Sequence, residues 1–398
     1  MLHKLWRKVP FRIRTAPTVR RLIRLILKAK FIGLQFNFIQ KTRSKKHIAS
    51  KFQFKSVILA WPTYDWNIPL KQRPQHIAEA FSRIKGFAYI FATRNAYDNL
   101  KSVRFLHENL AITPLFWQLL KQVDYIHVYA NDPNFTLQDF KRIEKFAIPV
   151  IYEILDEFDV ALQGGNSIEI LARHNYVLRS KILLKVVVTS SVLKSALSRA
   201  GYPENKMILS PNACDTKHFL LNEVPDHKEP VVGYFGALAS WFDYELLRKL
   251  ASENPNFKFK LIGMDYDGSL FESKVLEMPN IDYLGTIPYS ILPQFVDFDV
   301  AIVPFKINAI TLATSPIKVY EYLACGIPVV STRLPECEKI EFIQIADTAN
   351  DFSKEIKSAI SADSFTARLA RRKYAMTQSW DARAVDISNS LEMRAERI

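Results

Sequence analysis

TSPIKVYEYLACGIPVVST, residues 314–332, contains a helix, its stop and a buried strand in one short string. Pro316 suits the first position of a helix, where a missing N–H is harmless, and Thr314 or Ser315 stands where a cap is needed. The helix should run through Glu321 and end at Gly326, after which Pro328-Val329-Val330 reads as a fully apolar strand. A helix opening just after the strand end Val303-Pro304-Phe305 presents free N–H groups and the positive end of its dipole, which is an anion site. A diphosphate fits there. Glu321 lies inside the helix, where its carboxylate can accept two hydrogen bonds from ribose hydroxyls, and Lys318 is the nearest added positive charge.

The same texture extends on both sides. VVGYFGA (231–237), FKFKLIG (257–263), IDYLG (281–285) and VAIVPF (300–305) read as strands, with helices expected at 244–252 and 316–325. Upstream, SVILAW (56–61), FAYIFA (87–92), DYIHVYA (124–130), PVIYEIL (149–155) and KVVVTS (185–190) alternate with helical stretches, the first at 75–84. Continuous apolar strands separated by helices imply parallel sheets covered on both faces. Between the two series, PNACDTKHFLLNEVPDHKEP (211–230) is polar and proline-bearing, as a linker should be. The expected architecture is α/β, with two doubly wound, Rossmann-like domains facing a cleft. Ligands of such sheets sit at the carboxyl ends of strands, and clefts between domains favour small-molecule sites.

The charge lies outside this body. The chain has 398 residues and a net charge of +14, yet residues 1–51 hold 15 Lys/Arg and no acid, leaving 39 basic and 40 acidic residues for the rest. Val19, Leu22, Ile23 and Ile26 form a helical apolar stripe, while Arg20, Arg24 and Lys28 fall on another face, with Arg21 adding to the charge. Arg24 and Lys28 interrupt any signal-peptide core, and no stretch approaches the roughly 18 apolar residues of a membrane span. A basic amphipathic leader of this kind suits an anionic membrane surface. Nucleic acid is disfavoured because the neutral body continues no basic track, and an organellar targeting peptide because serines are few and apolar residues continue to Ile39. Three scattered cysteines (Cys214, Cys325, Cys337) give neither a disulfide framework nor a zinc site, and point to a reducing compartment.

The string 314–332 resembles the donor-site segment of GT-B glycosyltransferases, especially the large group that includes family 4, in which a helix of the form P-x-K-x-x-E-x-[LM]-A-x-G-x-P-V-[VI] grips a nucleotide sugar. VGYFGALASWFDYELL, with Gly236, resembles the first strand and loop of that donor domain, and FKLIG its second strand. NIDYLGTIPYSILPQFVDFDVAIVPF resembles the segment whose backbone, here Gly285 to Ile287, faces the nucleobase. PNACDTKHF resembles the interdomain segment, and SWDARA (379–384) the C-terminal helix that returns to the first domain. The resemblance spans roughly residues 55–390. After the basic leader at 1–50, it implies an acceptor-side domain at 51–222, a donor domain at 223–375 and a returning helix at 376–398. It also implies no metal or cofactor, since helix N-terminus and basic side chain carry the phosphate charge. Asp265-Tyr-Asp267 lies in the donor half, without the strand-end setting of a metal-binding D-x-D.

The departures bear on chemistry. The retaining enzymes of that group carry a Glu eight positions before the one matching Glu321; here the position is Ala313. Their fourth strand often ends His-x-His; here it reads His127-Val128-Tyr129. Trp61-Pro-Thr-Tyr-Asp65-Trp66 replaces a glycine-rich loop. WPTYDWNIPLKQRPQHIAEAF and YEILDEF instead resemble envelope-polysaccharide glycosyltransferases of this fold. An inverting transfer needs one base near the acceptor hydroxyl, for which Asp156, Glu157 and Asp65 are the candidates. Arg73, His127 and Tyr129 are expected on the acceptor side. The expectation is a cytoplasmic enzyme, peripheral on the membrane, that moves a sugar from a nucleoside diphosphate to a glycan or lipid-linked glycan. A nucleotide-sugar epimerase or hydrolase on the same fold needs no acceptor and leaves the leader unexplained. A non-catalytic glycan-binding relative would leave the donor helix unexplained.

Overall fold

Apolar runs that alternation cannot explain become strands buried on both faces. The computed structural model describes residues 55–391 apart from 69, 133 and 159–166, with 48, 51 and 52 before them. Its first sheet is built from β1 (Ser56–Ala60), β2 (Phe87–Ala92), β3 (Arg104–His107), β4 (Leu110–Thr113), β5 (Tyr125–Tyr129), β6 (Val150–Ile154), β7 (Leu183–Val188) and β8 (Met207–Leu209). The order is β3-β4-β2-β1-β5-β6-β7-β8. Every neighbouring pair is parallel except β3–β4, so the expectation of a purely parallel sheet fails at this edge. The helices between these strands are α1 (Arg73–Phe81), α2 (Phe116–Leu119), α3 (Leu137–Glu144), α4 (Ser167–Leu178) and α5 (Ser191–Arg199).

The second sheet contains β9 (Val231–Phe235), β10 (Lys258–Ile262), β11 (Ile281–Tyr283), β12 (Val300–Val303), β13 (Val329–Ser331) and β14 (Ile343–Ile345). All pairs are parallel, in the order β11-β10-β9-β12-β13-β14. Its helices are α6 (Tyr244–Glu253), α7 (Ser269–Glu272), α8 (Ala309–Ala313), α9 (Ile317–Ala324), α10 (Pro335–Glu338), α11 (Ala349–Ser361), α12 (Phe365–Thr377) and α13 (Trp380–Ser388). In both sheets the order reverses beside the first strand, which opens a crevice at the carboxyl ends.

Each sheet has its own core. Ile58, Tyr89 and Ile151 lie on one face of the first sheet, and Leu59, Ile90 and Tyr152 on the other. Val232, Phe259, Ile302 and Val330 centre the second. The chain then comes back: Trp380, Ala384 and Ile387 of α13 join the apolar cluster of Ile77 and Phe81 on α1. No helix among the described residues is long and apolar enough to cross a membrane. The leader residues Arg20, Arg21, Arg24, Lys28, Leu22, Ile23 and Ile26 lie outside the described residues.

Candidate nucleotide-sugar site

α9 starts one residue later than its sequence implied. Pro316, with an extended ψ of 113°, stands before the first turn instead of in it. Neither expected cap is used as one. Thr314 ends α8, and its hydroxyl donates to Ile310 O (2.9 Å) and, from the second sheet to the first, to Asp156 Oδ1 (3.2 Å). Ser315 is buried; its Oγ accepts from Asn212 N (3.0 Å) and its carbonyl from Asn212 Nδ2 (2.6 Å).

Within α9, Glu321 is 4% exposed, and the Tyr289 hydroxyl lies 3.4 Å from its Oε1. Burial pushes this carboxyl up to about 8, against the pull of Lys318 and Tyr289. Burial also pushes the Lys318 ammonium down to about 8, with Glu321 opposing. Lys318 Nζ lies over the rings of Phe305 (4.8 Å) and Tyr234 (5.2 Å), a cation held on aromatic faces. Gly236 makes room for it: a Cβ there, at φ +139°, would meet Lys318 Cε at 2.6 Å. Gly285 and Ile287 lie on the neighbouring segment, where the Gly285 carbonyl accepts from Gly263 N (2.8 Å) and Ile287 packs on the core. Tyr289, two residues on, is fixed by His218, whose ring stacks on it (4.5 Å) and whose Nε2 meets its carbonyl (2.7 Å).

On the first sheet, Asp156 follows β6 and faces Thr314, and burial raises its carboxyl above the usual range. Glu157 is half-buried beside it, with Oε1 accepting from Phe158 N (3.3 Å). Asp65 is turned to a different use. One oxygen accepts from Thr93 Oγ1 (2.8 Å) and the other from Tyr97 N, so it organises the loop around residues 93–97.

The structure gathers Arg73, His127 and Tyr129, but not on an acceptor-facing surface. All three are at most 2% exposed. Arg73 pairs with Glu153 and donates to Ser210 Oγ (2.9 Å), Pro211 O (2.9 Å) and Asn212 Oδ1 (3.2 Å). His127 bonds Glu153 Oε2 through Nε2 (2.6 Å) and Tyr89 OH through Nδ1 (2.9 Å), and Tyr129 stacks on its ring (4.7 Å). Burial alone would raise the Glu153 carboxyl, but Arg73 and His127 outweigh it and hold it below the ordinary range. This correction has a physical cause: a carboxylate inside an apolar strand must be matched by buried cations and donors. Sequence reading passed over Glu153, although a lone acid within VIYEI was the available signal. Tyr289 and Asn212 were equally missed as individual residues.

Asp265 and Asp267 serve their own loop: Asp265 Oδ1 accepts from Gly268 N (2.9 Å), and Asp267 from Ser240 N (2.9 Å) and Ser269 Oγ (2.6 Å). Among the described residues, no three His, Cys, Asp or Glu side chains converge as a metal site would require.

Residues 244–389 match the family model described as "Glycosyl transferase-like", a span that holds α9, Glu321 and the strands on either side. That segment is similar to the glycosyl transferase-like family, and the two-sheet architecture is the GT-B fold. A Bacillus subtilis protein described as a teichuronic acid biosynthesis glycosyltransferase, TuaH, is 28% identical over 160 residues. That match spans 38% of this chain and 40% of the relative's length. Among solved structures, sucrose-phosphate synthase from Thermosynechococcus elongatus superposes with a TM-score of 0.66 at 15% identity, covering 84% of this chain and 98% of that one. A glycosyltransferase from Rickettsia africae gives 0.64 at 16% identity, over 85% of this chain and all of the other. Anabaena HepE, solved in complex with UDP-glucose, gives 0.61 at 14% identity, over 84% of this chain and all of the other.

Proposed function

We propose that the chain transfers a sugar from a nucleoside diphosphate to a glycan or lipid-linked glycan during synthesis of a cell-surface polysaccharide, at the cytoplasmic face of an anionic membrane. The observation that carries this reading is Glu321: a carboxyl 4% exposed, one turn from the half-buried Lys318, on a helix entering from the junction of the two sheets. Such an acid is costly to bury with one protein donor, and two vicinal hydroxyls supply the partners it lacks. The bound UDP-glucose of HepE and the teichuronic acid assignment of TuaH support donor and pathway class.

In this reading the diphosphate lies by Lys318 and the turn 315–317, and the ribose hydroxyls donate to Glu321. Asp156 accepts the proton of the acceptor hydroxyl as its oxygen attacks the sugar's C1. The bond from C1 to the phosphate oxygen breaks, and the nucleoside diphosphate leaves with that electron pair. Burial of Asp156 raises its proton affinity, as a general base requires, and Thr314 orients it from the opposite sheet. Glu157, next in the chain and equally half-buried, stands second as the base.

A thermal-shift comparison of uridine and guanosine diphosphates tests the donor site. One of them should stabilise the protein by about 2.7 kcal/mol at a hundredfold excess over its dissociation constant. Glu321→Ala should abolish that gain, and an undiminished shift in the variant refutes the assignment.

A further inference from the structure

The link between the two halves passes through Ser210, Pro211 and Asn212, which side chains from several elements hold by hydrogen bonds. Arg73, set by its pair with Glu153, donates to Ser210 Oγ, Pro211 O and Asn212 Oδ1. Arg383 of the returning helix α13 donates to the same Pro211 carbonyl (2.9 Å). Asn212, gripped this way from the first half, turns its remaining donors on a single residue of the second. Its Nδ2 reaches Ser315 O (2.6 Å) and its backbone N reaches Ser315 Oγ (3.0 Å).

Ser315 is the last residue before Pro316 and α9. A proline fixes its own φ near −65° and restricts its predecessor, so a shift at Ser315 passes with little slack into the first turn of α9. That turn carries Lys318, and the next carries Glu321. We infer that Asn212 is a positioning residue for the donor: it sets the height and rotation of α9 from the acceptor-side half, through Arg73. This rests on the donor-site reading above. The residue type fits the task, because an amide accepts from a guanidinium and donates to a carbonyl, which a carboxylate cannot do. Asn212 is also only half-buried and outside the apolar clusters, so the fold does not depend on its bulk.

Asn212→Asp separates the two arms. It keeps the shape and the acceptor for Arg73 while losing the donor to Ser315 O. Asn212→Ala removes both side-chain arms without placing two acceptors face to face. Uridine and guanosine diphosphates would be titrated calorimetrically into the full-length wild type and both variants, with ligand-free melting temperatures measured in parallel. The expected result is affinity for the diphosphate that binds wild type falling roughly tenfold in both variants, as loss of one good hydrogen bond allows, with ligand-free melting nearly unchanged. Unchanged affinity overturns the inference alone. A lowered melting temperature with unchanged affinity also overturns it, since Asn212 would then be a structural residue only. Wild type binding neither diphosphate overturns the donor-site reading, and the inference with it.

Discussion

Glu321 and Lys318 lie three positions apart on one helix, the first buried and the second half-buried, with carboxyl and ammonium each moved to about 8 from opposite sides. Their ligand-free protonation is therefore poorly matched to a nucleotide, in a way that can be measured. Near pH 6.5 the free protein holds Glu321 protonated and Lys318 charged. Ribose hydroxyls favour the carboxylate, so binding should release up to about one proton. Near pH 9 Glu321 is already ionised and Lys318 largely neutral; the diphosphate favours the ammonium, so binding should take a proton up. Calorimetry in two buffers of different ionisation enthalpy should show the sign reverse near pH 8. Glu321→Gln should lose the release and keep the uptake. Heats independent of buffer at both pH values count against this arrangement. These two residues were legible because their roles follow from position along one helix. Glu153 was not, since its partner Arg73 lies 80 residues away, nor was Asn212, 103 residues from Ser315. Contacts of that separation leave no periodicity to read.

Among the elements, α9 and β13 show how closely a short string can specify its structure. Gly326 ends the helix at φ +79°, in a space where a Cβ would lie 2.7 Å from Leu221 Cδ1 and 2.8 Å from Arg368 Cβ. Glycine is needed there twice, for the left-handed turn and for the close approach of α12. Gly326→Ala should destabilise the protein by about 1–3 kcal/mol in urea titration, and an unchanged midpoint would show that the turn relaxes freely. Strands with continuous apolar runs, such as β1, β2 and β9, were legible within a residue or two. β3, β4, β8 and β14 were not. β3 (RFLH) is a partly exposed antiparallel edge, and β8 and β14 are three residues each at the sheet margins. Such strands exist because a sheet edge is available to pair with, which no local pattern encodes. The start of α9 moved by one residue because Ser315 is bonded to Asn212 and Pro316 is left extended.

Across the whole molecule, specific contacts join the two halves, and charge is divided unevenly between them. The halves meet through Asp156 and Thr314, through α13 on α1, and through Glu336, whose carboxylate accepts from Ser191 N (2.7 Å) and Oγ (2.8 Å). Residues 52–222 hold 20 basic and 15 acidic side chains, whereas residues 223–398 hold 19 and 25. The half next to the leader is thus the positive one, and an anionic surface that attracts the leader would draw the acceptor-side half toward it and repel the donor half. The leader itself, residues 1–50, contributes 14 basic residues and no acid. At about 1 kcal/mol for each basic residue near the surface, even a few contacts of Arg20, Arg21, Arg24 and Lys28 would hold the protein, with the stripe of Leu22, Ile23 and Ile26 adding apolar burial. Full-length protein should therefore sediment with vesicles rich in phosphatidylglycerol and not with phosphatidylcholine vesicles, and should be released progressively as salt shortens the screening length. Removing residues 1–50 leaves a body close to neutral, so binding should fall to background while the diphosphate still stabilises the protein. Binding that survives the truncation would place the membrane contact on the folded halves instead, and the excess of positive charge on residues 52–222 would then have to carry it.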